Sequence, residues 1–183
     1  MNREQFEHTV RAAASALGEA DVIVIGSQAI HASVPDLQLP WEATRSNETD
    51  VMAIDGSAES ADRIELIGEA SNFHQQFGIY AQGVDLTTAR LPDGWRDRLV
   101  PLTCKYPVPD PRIGPHAVAW CLERHDLWAS KIAAGRDKDL EYCTALVNHD
   151  LVDPATVLAR VNAIPDVTPA IQQRAQRLIN ERH

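Results

Sequence analysis

Along the first eighteen residues Phe6, Val10, Ala13, Ala14 and Leu17 recur at helical spacing, and the stripe ends at Gly18, a residue type that commonly closes a helix. Val22 to Ile25 then forms a continuous apolar run. Without alternation it predicts a strand buried on both faces. Gly26-Ser27 stops the run ahead of a short helix over 27–33 that Pro35 closes, because proline cannot continue a helix. From Pro35 to Asn47 no period holds, and the segment reads as a loop that rims a pocket. Glu48 to Ile54 is the second predicted strand, and Ser57 to Ala70 a helix capped by Ser57 with Ile64, Leu66 and Ile67 facing inward. Alternation in GIYAQGVDL (78–86) predicts a third strand with Asp85 at its end.

Pro92-Asp93-Gly94 signals a turn before a strand-like stretch from Leu99 to Cys104. The proline-rich segment 105–115 reads as a surface loop, and Ala117 to Leu122 as a short strand. Everything after it carries helical patterning, over 126–134, 138–149, 154–163 and 168–182. The order predicts an α+β (α/β) fold, a small mixed sheet flanked by helices. An α/β core over 1–122 would carry a helical part over 123–183, packed on it as one unit.

Composition narrows the function without naming it. Hydrophobic residues at 44% and charged ones at 23% of the 183 suit a globular protein with a real core. A formal net charge of −9 argues against bulk DNA or RNA binding, leaving room only for a local basic pocket or an Arg90, Arg96, Arg98, Lys105 and Arg112 patch. Cys104, Cys121 and Cys143 have no CxxC spacing and are odd in number, which speaks against a disulfide framework and for a reducing compartment. No leading apolar segment or membrane-length run is visible, so the expected location is cytoplasmic, with no membrane partner.

The chemistry concentrates between Val22 and Asp55. Glu48 and Asp50, two residues apart on a strand, point to the same face. Two carboxylates so close repel unless a cation lies between them, and hard oxygen ligands with room for water and phosphate suit Mg²⁺. Gly26-Ser27 adds backbone N–H groups and a hydroxyl at a strand-to-helix turn, where phosphate binds readily. Asp85 is the third acid by strand order, with Asp55 and Asp97 as alternatives.

Gly26-Ser27, Glu48-Thr49-Asp50, Asp85 and the helical stretch HDLWASKIAAGRDKDLEY (125–142) together resemble the nucleotidyltransferase superfamily. The last stretch is similar to uncharacterised bacterial nucleotidyltransferase-like proteins, themselves distantly similar to AbiEii-type toxins. The resemblance implies Mg²⁺ held by Glu48, Asp50 and Asp85, phosphate contacts from Gly26 and Ser27, and Lys131 approaching the triphosphate. Asp139 matches an acidic position of the helical motif with no assigned role. It further implies a nucleoside triphosphate as donor and an acceptor hydroxyl on a protein, an RNA end or a small molecule. A cognate toxin or antitoxin would be the partner. The superfamily's usual pair is two aspartates separated by an apolar residue, whereas this chain has Glu48 and Thr49.

Blander readings compete with each feature. Lys131 reads equally as a surface lysine with a buried stem, and Arg136 and Lys138 as a solvated helix start. His74 and His125 read as structural, Asp126 as an N-cap, and Trp41 as a loop anchor or a base-stacking ring at the pocket rim. The Glu-for-Asp exchange favours a non-catalytic binding or regulatory module of the same fold as the rival. A Cys or Ser hydrolase ranks below it, since no His and acid accompany either nucleophile recognisably in sequence.

Overall fold

The computed structural model describes residues 1–181. Five strands form one sheet in the order β3-β2-β1-β5-β4, with β1 Asp21–Val24, β2 Glu48–Ala53, β3 Tyr80–Gly83, β4 Val100–Asp110 and β5 Gly114–Cys121. β1 runs antiparallel to β2 and parallel to β5, while β2 and β3 are parallel and β4 and β5 antiparallel. The sheet is therefore mixed and the fold α+β, as the element order predicts.

Alternation sorts side chains onto two faces. Val22, Val24, Val51, Ala53, Ala81, Ala119 and Cys121 join the main core, which α1 (Arg3–Leu17) covers with Phe6, Val10 and Leu17. Asn2 caps α1 through a reciprocal bond pair with Gln5, and Gly18 closes it in the left-handed conformation. Ile23, Ile25, Met52 and Val84 occupy the other face under Leu91, Trp95 and Leu99. The same main core continues through Trp128, Leu146 and Leu178 of the helical part. That part comprises α5 (Arg124–Ala134), α6 (Asp137–Asn148), α7 (Pro154–Asn162) and α8 (Pro169–Asn180). None of the helices among the described residues is long and apolar enough to cross a membrane.

Several expected elements differ. The stretch 105–115 is mostly the distal half of a long hairpin, not a loop, because β4 is an edge strand whose prolines forgo no partner across the open side. The segment 35–47 holds a 3-10 turn and a four-residue helix, α2 (Trp41–Thr44). The helix expected over 57–70 is α3 (Ala58–Ile64), which tightens into a 3-10 turn over Glu65–Ile67 and leaves Leu66 73% exposed. Ser57 is its N-cap, as expected. A further short helix, α4 (Asn72–Phe77), precedes β3, which is shorter than expected. α8 ends at Asn180, and residue 182, where its end was expected, lies outside the described residues.

Candidate active site

β1 and β2 run in opposite directions, so the end of β1 lies beside the start of β2, and Ile25 N donates to the Asp50 carbonyl at 3.2 Å. This brings the Gly26-Ser27 turn against the acids. Ser27, Glu48, Asp50, Lys131 and Asp139 line one cleft of about 260 Å³ together with Glu42, Arg45, Ser46, Arg136, Lys138 and Tyr142. Gly26 lines an adjoining cavity that shares Asp50, Lys131 and Arg136 with the first.

The Glu48 and Asp50 carboxylates lie close enough on one face of β2 for each to act on the other's charge. Burial and then the Glu48 charge push the Asp50 carboxyl up to about 6, against the opposing pull of Lys131 and Lys138. Tyr80, across from Glu48 in the β2–β3 register, donates its hydroxyl to Glu48 Oε2 at 3.2 Å. Burial and that neighbouring carboxylate push the tyrosine up to about 12, so it remains a donor. Met52, next on the acids' face, is fully buried in the apolar cluster.

The opposite wall comes from the turn between α5 and α6. Gly135 takes φ +67° and accepts the helix reversal, donating its N–H to the Lys131 carbonyl. Across this turn, fully buried Asp139 receives Lys131 Nζ at 3.1 Å and Arg136 Nε at 2.6 Å. Burial opposes ionisation of Asp139, yet the Arg136 hydrogen bond and the Lys131 charge outweigh it and hold the carboxyl below its usual range. Lys131 also sits 4.6 Å from the Tyr142 ring centroid, and Tyr142 donates its hydroxyl to the Ser27 carbonyl at 3.0 Å. Three cations therefore face two acids over a turn that α6 itself holds down.

The third carboxylate is not brought to this cleft. Asp85 accepts from the N–H and hydroxyl of Thr87 at 2.8 and 2.7 Å, which hold its carboxyl low and aim it into its own turn. Asp55 is likewise taken up locally, accepting from the N–H and hydroxyl of Ser57 and the hydroxyl of Ser60 beyond the far end of β2. Asp97 lies in the 3-10 turn Trp95–Arg98. The residue in register with Asp50 on β3 is Gln82, an amide engaged with Glu65. Among the described residues no group of three or more His, Cys, Asp or Glu forms a metal cage. Two carboxylates still fit Mg²⁺, which commonly binds through one or two acids plus water and substrate phosphates.

Arg45, Arg136, Lys138, Glu42, Ser46 and Tyr142 complete the cleft beyond the residues singled out in the sequence. Asp126 is not the N-cap of α5. Glu123 holds that place, while Asp126 is fully buried between Arg98 (2.8 Å) and Arg160 (3.1 Å), the second contact an ion pair without hydrogen-bond geometry. His125 donates through Nδ1 to Glu123 and accepts the Asp153 N–H at Nε2, tying α5 to the start of α7. Cys104, Cys121 and Cys143 are free and buried, and burial pushes all three thiols up, so none is a ready nucleophile.

Over residues 5–177 the chain matches the family described as a nucleotidyltransferase of unknown function (DUF6036). The chain belongs to this family. The match spans the sheet, the acid pair and the α5–α6 turn, so every residue lining the cleft lies inside it. No curated protein and no solved structure matches the chain.

Proposed function

We propose that the protein is a Mg²⁺-dependent nucleotidyltransferase that moves a nucleotide from a nucleoside triphosphate to an acceptor hydroxyl. The observation that carries this reading is the Glu48–Asp50 pair facing Lys131, Arg136 and Lys138 across a cleft of about 260 Å³. Phosphoryl chemistry asks for positioning and charge neutralisation more than for covalent participation, and both are supplied here.

Glu48 and Asp50 would hold the metal. Bound Mg²⁺ would supply Lewis acidity at phosphate and lower the pKa of the acceptor hydroxyl. Lys131, Arg136 and Lys138 would hold the phosphates, with Ser27 and the Gly26 backbone beneath them. Asp139 would fix the direction of Lys131 and Arg136 without touching substrate, since both of its oxygens are engaged by them. Asp85 would enter this chemistry only if its turn with Thr87 opened.

The acceptor hydroxyl would belong to a protein side chain, an RNA end or a small molecule. A large RNA surface is disfavoured by the net charge of −9 and by the pairing of Arg98 with Asp126 and Arg112 with Asp110. The biological setting we propose is a toxin–antitoxin pair, an extension that rests on the sequence resemblance of residues 125–142 alone. A reducing cytoplasm suits the three free thiols.

A second reading, a nucleotide-binding module without turnover, is favoured by Gln82 standing where a third acid would face Asp50. Calorimetric titration with Mg²⁺ and each nucleoside triphosphate, paired with labelled-nucleotide transfer in a cell lysate, separates the two. Binding with transfer supports the enzyme, and binding without transfer supports the module. No binding by the folded chain removes both.

A further inference from the structure

Trp41 is 65% exposed although it is the largest side chain near the cleft. It opens α2 directly after Pro40, and because α2 has only four residues its single inward position goes to Ala43, which is fully buried. The indole instead forms one wall of a groove of about 460 Å³ between α2 and α6, faced by Leu140, Thr144 and Ala145. Arg45 fixes this wall. Its guanidinium carbon lies 5.3 Å from the Trp41 ring centroid, and its NH2 group pairs with Glu141 Oε2 of α6 at 2.6 Å.

Glu42 and Arg45 line both this groove and the acid cleft, so the two spaces share a wall. The cavity containing Gly26, Thr87, Thr88 and Arg90 borders the cleft at Asp50, Lys131 and Arg136 instead. The cleft thus has two different neighbours. One has an exposed aromatic face, a mixed wall opposite in which Leu140, Thr144 and Ala145 stand beside polar Glu141, Asn148 and His149, and a volume within the range of ligand pockets. A flat ring stacks on such a face irrespective of which base it is.

We propose that the α2–α6 groove seats the nucleobase of the donor triphosphate, with Trp41 as its stacking platform. The inference rests on the nucleotide-transfer reading above and adds which side of the cleft the base takes. Phosphates among Lys131, Arg136 and Lys138 and a ring at Trp41 place the ribose beside Glu42 and Arg45. The cavity at Thr87, Thr88 and Arg90 is then left for the acceptor. Purines, with the larger stacking face, bind more tightly than pyrimidines.

Calorimetry of the full chain with Mg²⁺ and either inorganic tripolyphosphate, ATP, GTP, CTP or UTP tests this. The unmodified protein is expected to bind purine triphosphates more tightly than tripolyphosphate. Trp41→Ala loses about tenfold or more of the nucleotide affinity and none of the tripolyphosphate affinity, while Trp41→Phe keeps most of both. Thr144→Tyr, which fills the groove from α6, should likewise abolish the advantage of nucleotide over tripolyphosphate. Equal nucleotide binding by Trp41→Ala and the unmodified protein, or parallel loss of both probes, overturns the assignment of the groove while leaving the cleft reading intact. If neither tripolyphosphate nor any nucleotide binds the unmodified protein, the nucleotide reading falls and the groove assignment falls with it.

Discussion

A methyl group on Gly26 would lie 1.6 Å from Oδ2 of Asp50. The backbone angle there is ordinary, with φ −88°, so the glycine answers a demand for space and not for a left-handed conformation. Gly26→Ala must push the Asp50 carboxylate aside or separate β1 from β2. A cost of about 1–3 kcal/mol follows from overpacking of this kind. Nucleotide transfer is expected to fall further than stability does, by about a hundredfold or more, because the displaced group is one of the two acids proposed to hold the metal. Thermal melts and the transfer assay on the same sample check this, and an alanine variant with full activity would show that Asp50 is not held where the chemistry occurs.

Asp139 neutralises the two cations it positions, so removing its charge has two separable consequences. In Asp139→Asn the buried Lys131 and the more exposed Arg136 lose their counter-charge, and destabilisation of about 3 kcal/mol is expected for the broken buried Lys131 pair. Both cations then swing toward the remaining carboxylates, Glu48 and Asp50. Mg²⁺ affinity should therefore fall even though Asp139 does not line up with the metal acids. Lys131→Met leaves Asp139 paired with Arg136, so it should keep most of the stability and lose the transfer rate. Equal Mg²⁺ affinity in Asp139→Asn and the unmodified chain, by calorimetry, would remove the positioning role.

Asp126 supplies a contrast, because it is as buried as Asp139 and as heavily paired but lies away from the cleft lining. It joins the 3-10 turn at Arg98 to α5 and α7. Asp126→Asn is expected to cost about 3 kcal/mol or more, since two arginines lose one charge between them. Mg²⁺ and nucleotide affinities of the folded fraction should stay as they were. A denaturant titration gives the first quantity and calorimetry below the melting transition the second.

How far these roles could be read ahead of the structure depends on the kind of signal each carries. Glu48 and Asp50 share a face by strand alternation, a local rule that needs no tertiary information, and the two carboxylates do meet. The helix stripe of Phe6 to Leu17 and the Ser57 cap are equally local. Arg136 and Lys138 read as a solvated helix start, yet both line the cleft. What places them there is the reversal at Gly135 and the grip of Asp139, contacts invisible to a periodicity argument. Asp126 fits an N-cap by position, but the helix begins earlier, and Glu123 caps it by accepting the His125 and Asp126 N–H groups. The four prolines between 107 and 115 mimic a loop because the sequence does not say which strand will be an edge. Strand order alone makes Asp85 the third acid, whereas the β2–β3 register puts Gln82 opposite Asp50 and leaves Asp85 to Thr87.

The acid pair sets an unusual sign for the dependence of stability on pH. The Asp50 carboxyl rises from its ordinary 3.8 to about 6 on folding, through burial and the Glu48 charge. Between about pH 4 and pH 6 the folded chain therefore holds a proton that the unfolded chain has released, and this contribution to stability declines as pH rises through that window. Most paired carboxylates give the opposite slope, so Asp50 is isolated by a difference between variants. Asp50→Asn has no charge to bury and should gain stability relative to the unmodified chain as pH increases from 4.5 to 7.5. A bound cation removes the same penalty by taking the proton's place, so Mg²⁺ should raise the melting temperature at pH 7.5, do so far less at pH 5, and do almost nothing for Asp50→Asn at either pH. Thermal melts of both proteins at these pH values, with and without Mg²⁺, measure all three effects. A Mg²⁺ shift that is the same at pH 5 and pH 7.5, or that survives in Asp50→Asn, would mean that the ion binds somewhere other than between Glu48 and Asp50.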